Sequence, residues 1–185
     1  MRPSCLPLSL LACLTLSLAA ADLPPEIMAL AAESEAKCVA TEKDKPTPQQ
    51  IIDKVREGAA LVAKDGKAAF GKFRGKDSPF IFGGTYIWIH DKEGVMQMHP
   101  VKPKMETRPL LGLKDSNGKT FFVDMNTVAA KGGGWVDYQW PKPGAKEPCL
   151  KVSYVMEAKH GDEVFIVGCG VYDLTLEQIT ASGAK

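Results

Sequence analysis

Between Gly132 and Leu174 three runs rich in β-branched and aromatic residues follow one another: Trp135 to Trp140, Leu150 to Ala158 and Val164 to Tyr172. Residues of this kind favour the pleated, half-buried surface of a strand. The break at His160-Gly161 is so short that the last two runs can pair only as an antiparallel hairpin. From Phe165 to Val171 the final run is apolar at successive positions. That pattern belongs to a strand covered on both faces, in the middle of its sheet. The rest of the chain must therefore supply cover for an antiparallel sheet on two sides.

The first half offers that cover as helices. From Asp22 to Phe73 the chain reads helical, interrupted by a charged, proline-containing break from Glu42 to Pro48. Thr47 reads as an N-cap, with Pro48 in the first helical position and Gln50 closing a capping box. Ile52, Val55, Ala59 and Val62 then recur at helical spacing and mark one apolar face. Asp65-Gly66 stops or bends this helix, and Lys67 to Phe73 continues it briefly. The character changes at Asp77-Ser78-Pro79. Thr85 to His90 reads as a strand, Asp91 to Gly94 as a hairpin turn, and Val95 to His99 as the return strand, stopped by Pro100. Val101 to Gly118 is irregular, Thr120 to Lys131 helical, and Leu174 to Thr180 a short end helix. Helices followed by antiparallel strands predict an α+β fold, with the long helix laid across a sheet of about five strands. The boundaries read as 1–21, a leader; 22–46, an N-terminal helical segment; 47–174, one domain; and 175–185, a C-terminal tail with its helix.

The leader is read from Met1-Arg2, an apolar run from Leu6 to Leu18, and Ala19-Ala20-Ala21, which fits a small-residue cleavage site. The apolar run is shorter than the roughly 20 residues a membrane span requires. Leu10-Leu11-Ala12-Cys13 loosely resembles a lipoprotein box, so lipid anchoring at Cys13 is the lesser alternative to simple export. The expected product is periplasmic or secreted. Lys and Arg total 23 against 22 Asp and Glu, and such a balance gives no drive toward nucleic acid or anionic membrane. Beyond Ala21 the cysteines are Cys38, Cys149 and Cys169. With His160-Gly161 as the loop, Cys169 opposes Val152 and Cys149 opposes Tyr172. The two cysteines are then offset by about 10 Å along the strands, beyond disulfide reach. A bridge from Cys38 to one of them, or no bridge, are the open alternatives.

Catalytic signatures are missing: no nucleophile elbow, zincin helix, phosphate loop or dinucleotide fingerprint occurs. No enzyme activity, cofactor or metal is expected. Asp115-x-Asn117-Gly118 resembles the start of a calcium loop but lacks the later oxygen ligands, so a turn is expected. Gly168-Cys169-Gly170 sits inside a strand, where glycines mark a bulge or a close approach. His160 reads as a solvated turn residue, His90 as an ordinary strand end, and His99 as a residue that can face a pocket mouth. Alternation places Tyr86 with Trp88 on one strand face, Val136 with Tyr138 and Trp140 on another, and Lys151 with Ser153 and Val155 on a third. Lys151 either snorkels at a sheet end or aims an ammonium into an aromatic-walled cavity, where it would hold an anion.

Several features in this order resemble the single Cache domains of bacterial extracytoplasmic sensors, over about Gln50 to Leu174. They are Tyr86-x-Trp88-x-x-Asp91-x-x-Gly94, His99-Pro100, Lys114-Asp115-x-Asn117-Gly118-Lys119, Gly134-Trp135-Val136-x-Tyr138-x-Trp140-Pro141-Lys142-Pro143, Lys151-x-Ser153-Tyr154, and Gly168-x-Gly170-Val171-Tyr172. The resemblance implies a PAS-like fold: a long N-terminal helix behind a central antiparallel sheet, with a pocket for a short organic acid on the other face. Tyr86, Trp88, His99, Tyr138, Trp140 and Lys151 are the expected ligand-binding residues. Strict alternation puts Lys151 and Tyr154 on opposite faces, so one of them is structural unless a bulge intervenes. With no second apolar run of membrane length, the chain is expected to act as an exported binding module in signal transduction or chemotaxis, possible partner a membrane sensor. The alternative is an interaction module that partners such a sensor without a small ligand.

Overall fold

The structure, a computed structural model, describes residues 23–184. The expected cleavage after Ala21 and the lipidation alternative at Cys13 lie outside the described residues. Among the described residues no helix is long and apolar enough to cross a membrane. Helix α1 spans Pro25–Thr41 and α2 spans Pro48–Asp65, and a 3-10 helix follows at Gly66–Phe73. The strands are β1 (Ile81–Phe82), β2 (Thr85–Asp91), β3 (Met96–Met98), β4 (Gly134–Pro141), β5 (Pro148–His160) and β6 (Glu163–Tyr172). Helix α3 (Phe121–Ala129) precedes β4, and α4 (Leu176–Ala181) closes the chain.

The capping box at Thr47 forms on both sides: Gln50 N donates to Thr47 Oγ1, and Thr47 N donates to Gln50 Oε1. It starts α2 where the sequence places the start. Ile52, Val55, Ala59 and Val62 are all buried, and α2 packs across β5 and β6. The approach is close: a Cβ at Gly58 would lie 2.9 Å from Ile87 Cδ1. Behind the helix, Phe73 stacks on Phe80 with ring centroids 4.3 Å apart.

The fold is α+β, as expected, but the sheet has six strands rather than about five. They run in the order β1-β2-β6-β5-β4, with β3 also paired to β2. The added strand, β1, is two residues long, too short to show alternation. It shares the outer edge of β2 with β3: β1 pairs at Tyr86 and Thr85, β3 at Ile89 and His90. The apolar strand β6 lies between β2 and β5, in the interior of the sheet. Its hairpin to β5 turns one residue later than expected. His160 pairs with Glu163, and Gly161 takes the first turn position at φ 58°, the place glycine holds in a type II′ turn. Cys169 therefore faces Tyr154 rather than Val152. Cys38, Cys149 and Cys169 are all free thiols, so the bridge from Cys38 does not form.

Two apolar cores result, one on each face. Ile87, Val152, Tyr154 and Val167 pack beneath α2. Tyr86, Trp88, Val136, Tyr138 and Val155 pack beneath α3, with Cys38 of α1 joining them. The Phe73→Ala substitution removes a fully buried ring from the first core. It should cost about 3–5 kcal/mol of unfolding free energy, read as a lowered urea midpoint at unchanged slope; a loss under about 1 kcal/mol contradicts the packing described.

Candidate functional site

The site is built on the face opposite α2. Pairing sets Trp88 beside Gly168, Ser153 beside Gly170, and Lys151 between Tyr138 and Tyr172. Side chains directly across an antiparallel pair share a face. The three sets of residues that alternation assigns to separate strands thus meet on one surface. The register of β5 and β6 is unbroken through Gly168-Cys169-Gly170, so the glycines mark close approach rather than a bulge. A Cβ at Gly168 would lie 2.4 Å from Trp88 Cζ2, and one at Gly170 would lie 2.1 Å from Ser153 Oγ and 3.0 Å from Lys151 Cε. The two glycines lower the floor on which the indole and the lysine stem lie. Tyr154 points the other way, against Trp135 and the α2 core, and so is the structural member of its motif.

Lys151 does not snorkel. It is 1% exposed, and its Nζ stands 4.4 Å from the centroid of the Tyr86 ring, 4.9 Å from Tyr172 and 5.0 Å from Trp88. Three aromatic faces partly replace the water it has lost. Among the described residues no carboxylate comes within ion-pair distance of it. Burial lowers its pKa to about 8.

Other donors around it are also short of acceptors. Trp88 Nε1 is buried without a partner. His99 is 2% exposed, and burial, with Lys151 nearby, holds its pKa well below the ordinary range. Its Nδ1 accepts from the backbone N–H groups of Lys102 at 2.9 Å and Val101 at 3.3 Å. The neutral ring must then carry its proton on Nε2, for which the described residues supply no acceptor. Two other polar groups are paired: Trp140 Nε1 donates to Tyr86 Oη, and Tyr138 Oη lies 3.1 Å from Ser153 Oγ.

All six expected residues (Tyr86, Trp88, His99, Tyr138, Trp140 and Lys151) line one cavity. Phe121, Phe122 and Met125 of α3 roof it, and Met96 and Met105 close its side. None of these five was expected. Their helix and loop are apolar stretches whose spacing does not say which sheet face they cover. Tyr172, whose ring faces the Lys151 ammonium without lining the cavity, was not expected either, although it sits in a quoted motif. The cavity is nearly shut, at about 10 Å³, space for one water at most. A roomier hollow of about 200 Å³ lies at the end of the sheet, beyond Tyr172, between Val39, Pro46, Pro143 and Leu174. Its rim charges are mutually paired, Lys142 with Glu42 and Asp173 and Lys45 with Asp173, which leaves none for an anion.

The other polar residues have structural roles. His90, expected at an ordinary strand end, is fully buried. Its Nε2 lies 2.9 Å from Asn126 Oδ1, tying α3 to β2, and burial lowers its pKa to about 4. His160 is only half-buried, its Nδ1 3.0 Å from Ala63 O. Asp115 closes a turn, accepting from the N–H groups of Asn117, Lys119 and Gln139. Among the described residues no group of three or more His, Cys, Asp or Glu gathers to hold a metal ion.

Comparison with known proteins adds an independent line. The family model of the single Cache domain 2 matches residues 33–182. The methyl-accepting chemotaxis protein McpP of Pseudomonas putida is 41% identical over 88 residues, 47% of this chain and 16% of that receptor. The sensor histidine kinase MctS of Rhizobium johnstonii is 28% identical over 99 residues, 54% of this chain and 20% of the kinase. The match thus spans no more than a fifth of either relative. A solved periplasmic sensor domain of a chemotaxis protein superposes with a TM-score of 0.54 at 32% identity, over 77% of this chain and 97% of that domain.

The lowered pKa of Lys151 has a signed consequence for stability. A folded-state pKa of about 8, below the unfolded value, means that charging the buried lysine opposes folding. At pH 7 the cost is roughly 3 kcal/mol, and it is relieved as pH rises from about 8 toward 10. Lys151→Met should therefore raise the melting temperature of the ligand-free protein at pH 7, with the gain shrinking by pH 10. A variant less stable than wild type at pH 7 contradicts this.

Proposed function

The chain belongs to the single Cache domain 2 family, and we propose that it is an extracytoplasmic sensor module whose aromatic cage takes a short monocarboxylate. One observation carries this reading: donors without acceptors converge on one cavity. The Trp88 indole N–H is buried without a partner, the Lys151 ammonium faces only aromatic rings, and the His99 ring lines the same cavity with its Nδ1 already engaged by backbone N–H groups, which leaves the proton on Nε2. A carboxylate brings what they lack, a negative charge and two acceptor oxygens, into surroundings where charge-assisted hydrogen bonds are strong.

Size and charge narrow the class. The cavity can grow where Met96, Met105 and Met125 line it, because methionine repacks readily, but the sheet floor and the two phenylalanines limit it to a few heavy atoms. Among the described residues, Lys151 is the only cation that lines the cavity. A second carboxylate would be buried unpaired, so dicarboxylates should be rejected. For about five heavy atoms the efficiency ceiling allows about −7 kcal/mol, a dissociation constant on the order of 10 µM.

The relatives are a chemoreceptor and a sensor kinase, which supports a sensing role. The chain would then hand ligand occupancy to a membrane sensor. Export through a leader ending at Ala21 fits that site of action.

A thermal-shift panel tests the reading with acetate, propionate and butyrate against succinate and propionamide. At 100 times the dissociation constant a ligand adds about 2.7 kcal/mol, a rise of about 5–10 °C for a domain of this size. Monocarboxylates should give it; the diacid and the neutral amide should not. Affinity for propionate should fall about tenfold per pH unit above 8, as Lys151 loses its proton. If no monocarboxylate shifts the protein at millimolar concentration, the alternative of a ligandless interaction module stands, and a stable complex with a membrane sensor is its signature.

A further inference from the structure

Every cavity wall but one is a strand or an α-helix. The exception runs from His99 to Glu106 and contributes His99 and Met105. Pro100 and Pro103 stiffen it, and Lys102 Nζ lies over the Trp140 ring at 4.8 Å. With so little room inside, a ligand must displace a wall to enter, and this wall holds only one 3-10 turn, Pro103–Met105, and no α-helix or sheet ladder.

We infer that Arg74 and Glu106, which do not line the cavity, are positioning residues that hold this wall closed and set how long a bound carboxylate stays. The inference rests on reading the cavity as a carboxylate site. Arg74 Nη2 lies 2.6 Å from Glu106 Oε1, with side chains 6% and 14% exposed. Every other ion pair among the described residues leaves both partners at least a quarter exposed. The pair grips both polar groups of one backbone residue: His99 N donates to Glu106 Oε1 at 2.8 Å, and Arg74 Nη1 donates to His99 O at 3.3 Å. His99 begins the wall and Glu106 ends it, so one clamp pins both ends. It also fixes where the His99 ring, with its free N–H, stands beside Tyr86, ring centroids 4.9 Å apart.

A second feature opposes the clamp. Thr107, immediately after Glu106, has φ 64°, a left-handed conformation that strains a β-branched residue. Its N–H donates to Met96 O at 2.8 Å, so the wall rejoins the fold at a strained hinge. The clamp is anchored in turn on α1, because Gly75 N, next to Arg74, donates to Ser34 Oγ at 2.8 Å in the buried interior.

Clamp and hinge make opposite predictions, which a simple stabilising ion pair does not. Propionate dissociation is followed by stopped-flow fluorescence of the cage tryptophans. Hydrogen exchange of residues 99–107 is measured in the ligand-free proteins. Arg74→Ala and Glu106→Ala should speed dissociation by about tenfold or more and speed exchange of the segment. Glu106→Gln, which keeps an acceptor for His99 N, should fall between them and wild type. Thr107→Asn, exposed and tolerant of positive φ, should slow both. Clamp variants that melt earlier yet leave dissociation and segment exchange unchanged overturn the inference. If Arg74→Ala does not fold, Glu106→Gln and Thr107→Asn decide. If propionate fails to bind wild type, the carboxylate reading falls. Exchange alone then judges the wall: unchanged rates in the clamp and hinge variants overturn the clamp, and opposed changes uphold it.

Discussion

A lysine ammonium buried among three aromatic rings, with no carboxylate near it among the described residues, is the constraint on which the molecule turns. Burying a charge is expensive unless something compensates it. At Lys151 the faces of Tyr86, Trp88 and Tyr172 compensate in part, and the pKa falls to about 8. The remaining cost is the free energy an incoming anion recovers. A site that stores an uncompensated charge is weakened when empty and strengthened when filled, which is a physical basis for a sensor.

The rest of the fold makes this arrangement possible. Strand β6, covered on both faces, places Gly168 and Gly170 beneath the cage, so Trp88 and Lys151 can lie flat against the sheet. Helix α2 and its core hold the opposite face, so the sheet is braced from the side without the cavity. The near-closed cavity and the single irregular wall from His99 to Glu106 then make occupancy a matter of moving one segment. Because Arg74 and Gly75 reach from that segment to Ser34 of α1, a change at the cage has a short route to the N-terminal helix.

Much of this was legible in the sequence. The capping box at Thr47, the apolar face of α2 and the central position of β6 follow from caps and periodicity. Period-2 alternation also paired Tyr86 with Trp88 and Tyr138 with Trp140. What alternation could not supply was register, and register put those pairs and Lys151 on one face. The expected turn at His160-Gly161 was off by one residue, which moved Cys169 opposite Tyr154. Strand β1 was too short to carry a period. The roof from α3 and the clamp at Arg74 depend on contacts between distant segments, for which a single sequence carries no signal. The burial of His90 beside Asn126 was missed for the same reason.

The central claim is most directly tested by the titration of Lys151 itself. In protein carrying isotope-labelled lysine, the Lys151 resonance followed against pH by NMR should titrate near 8 in the free protein. Saturation with propionate should raise that midpoint by more than about one unit, because a carboxylate at contact favours the charged form. A Lys151 that titrates at the ordinary lysine value, about 10.4, with and without propionate contradicts the account.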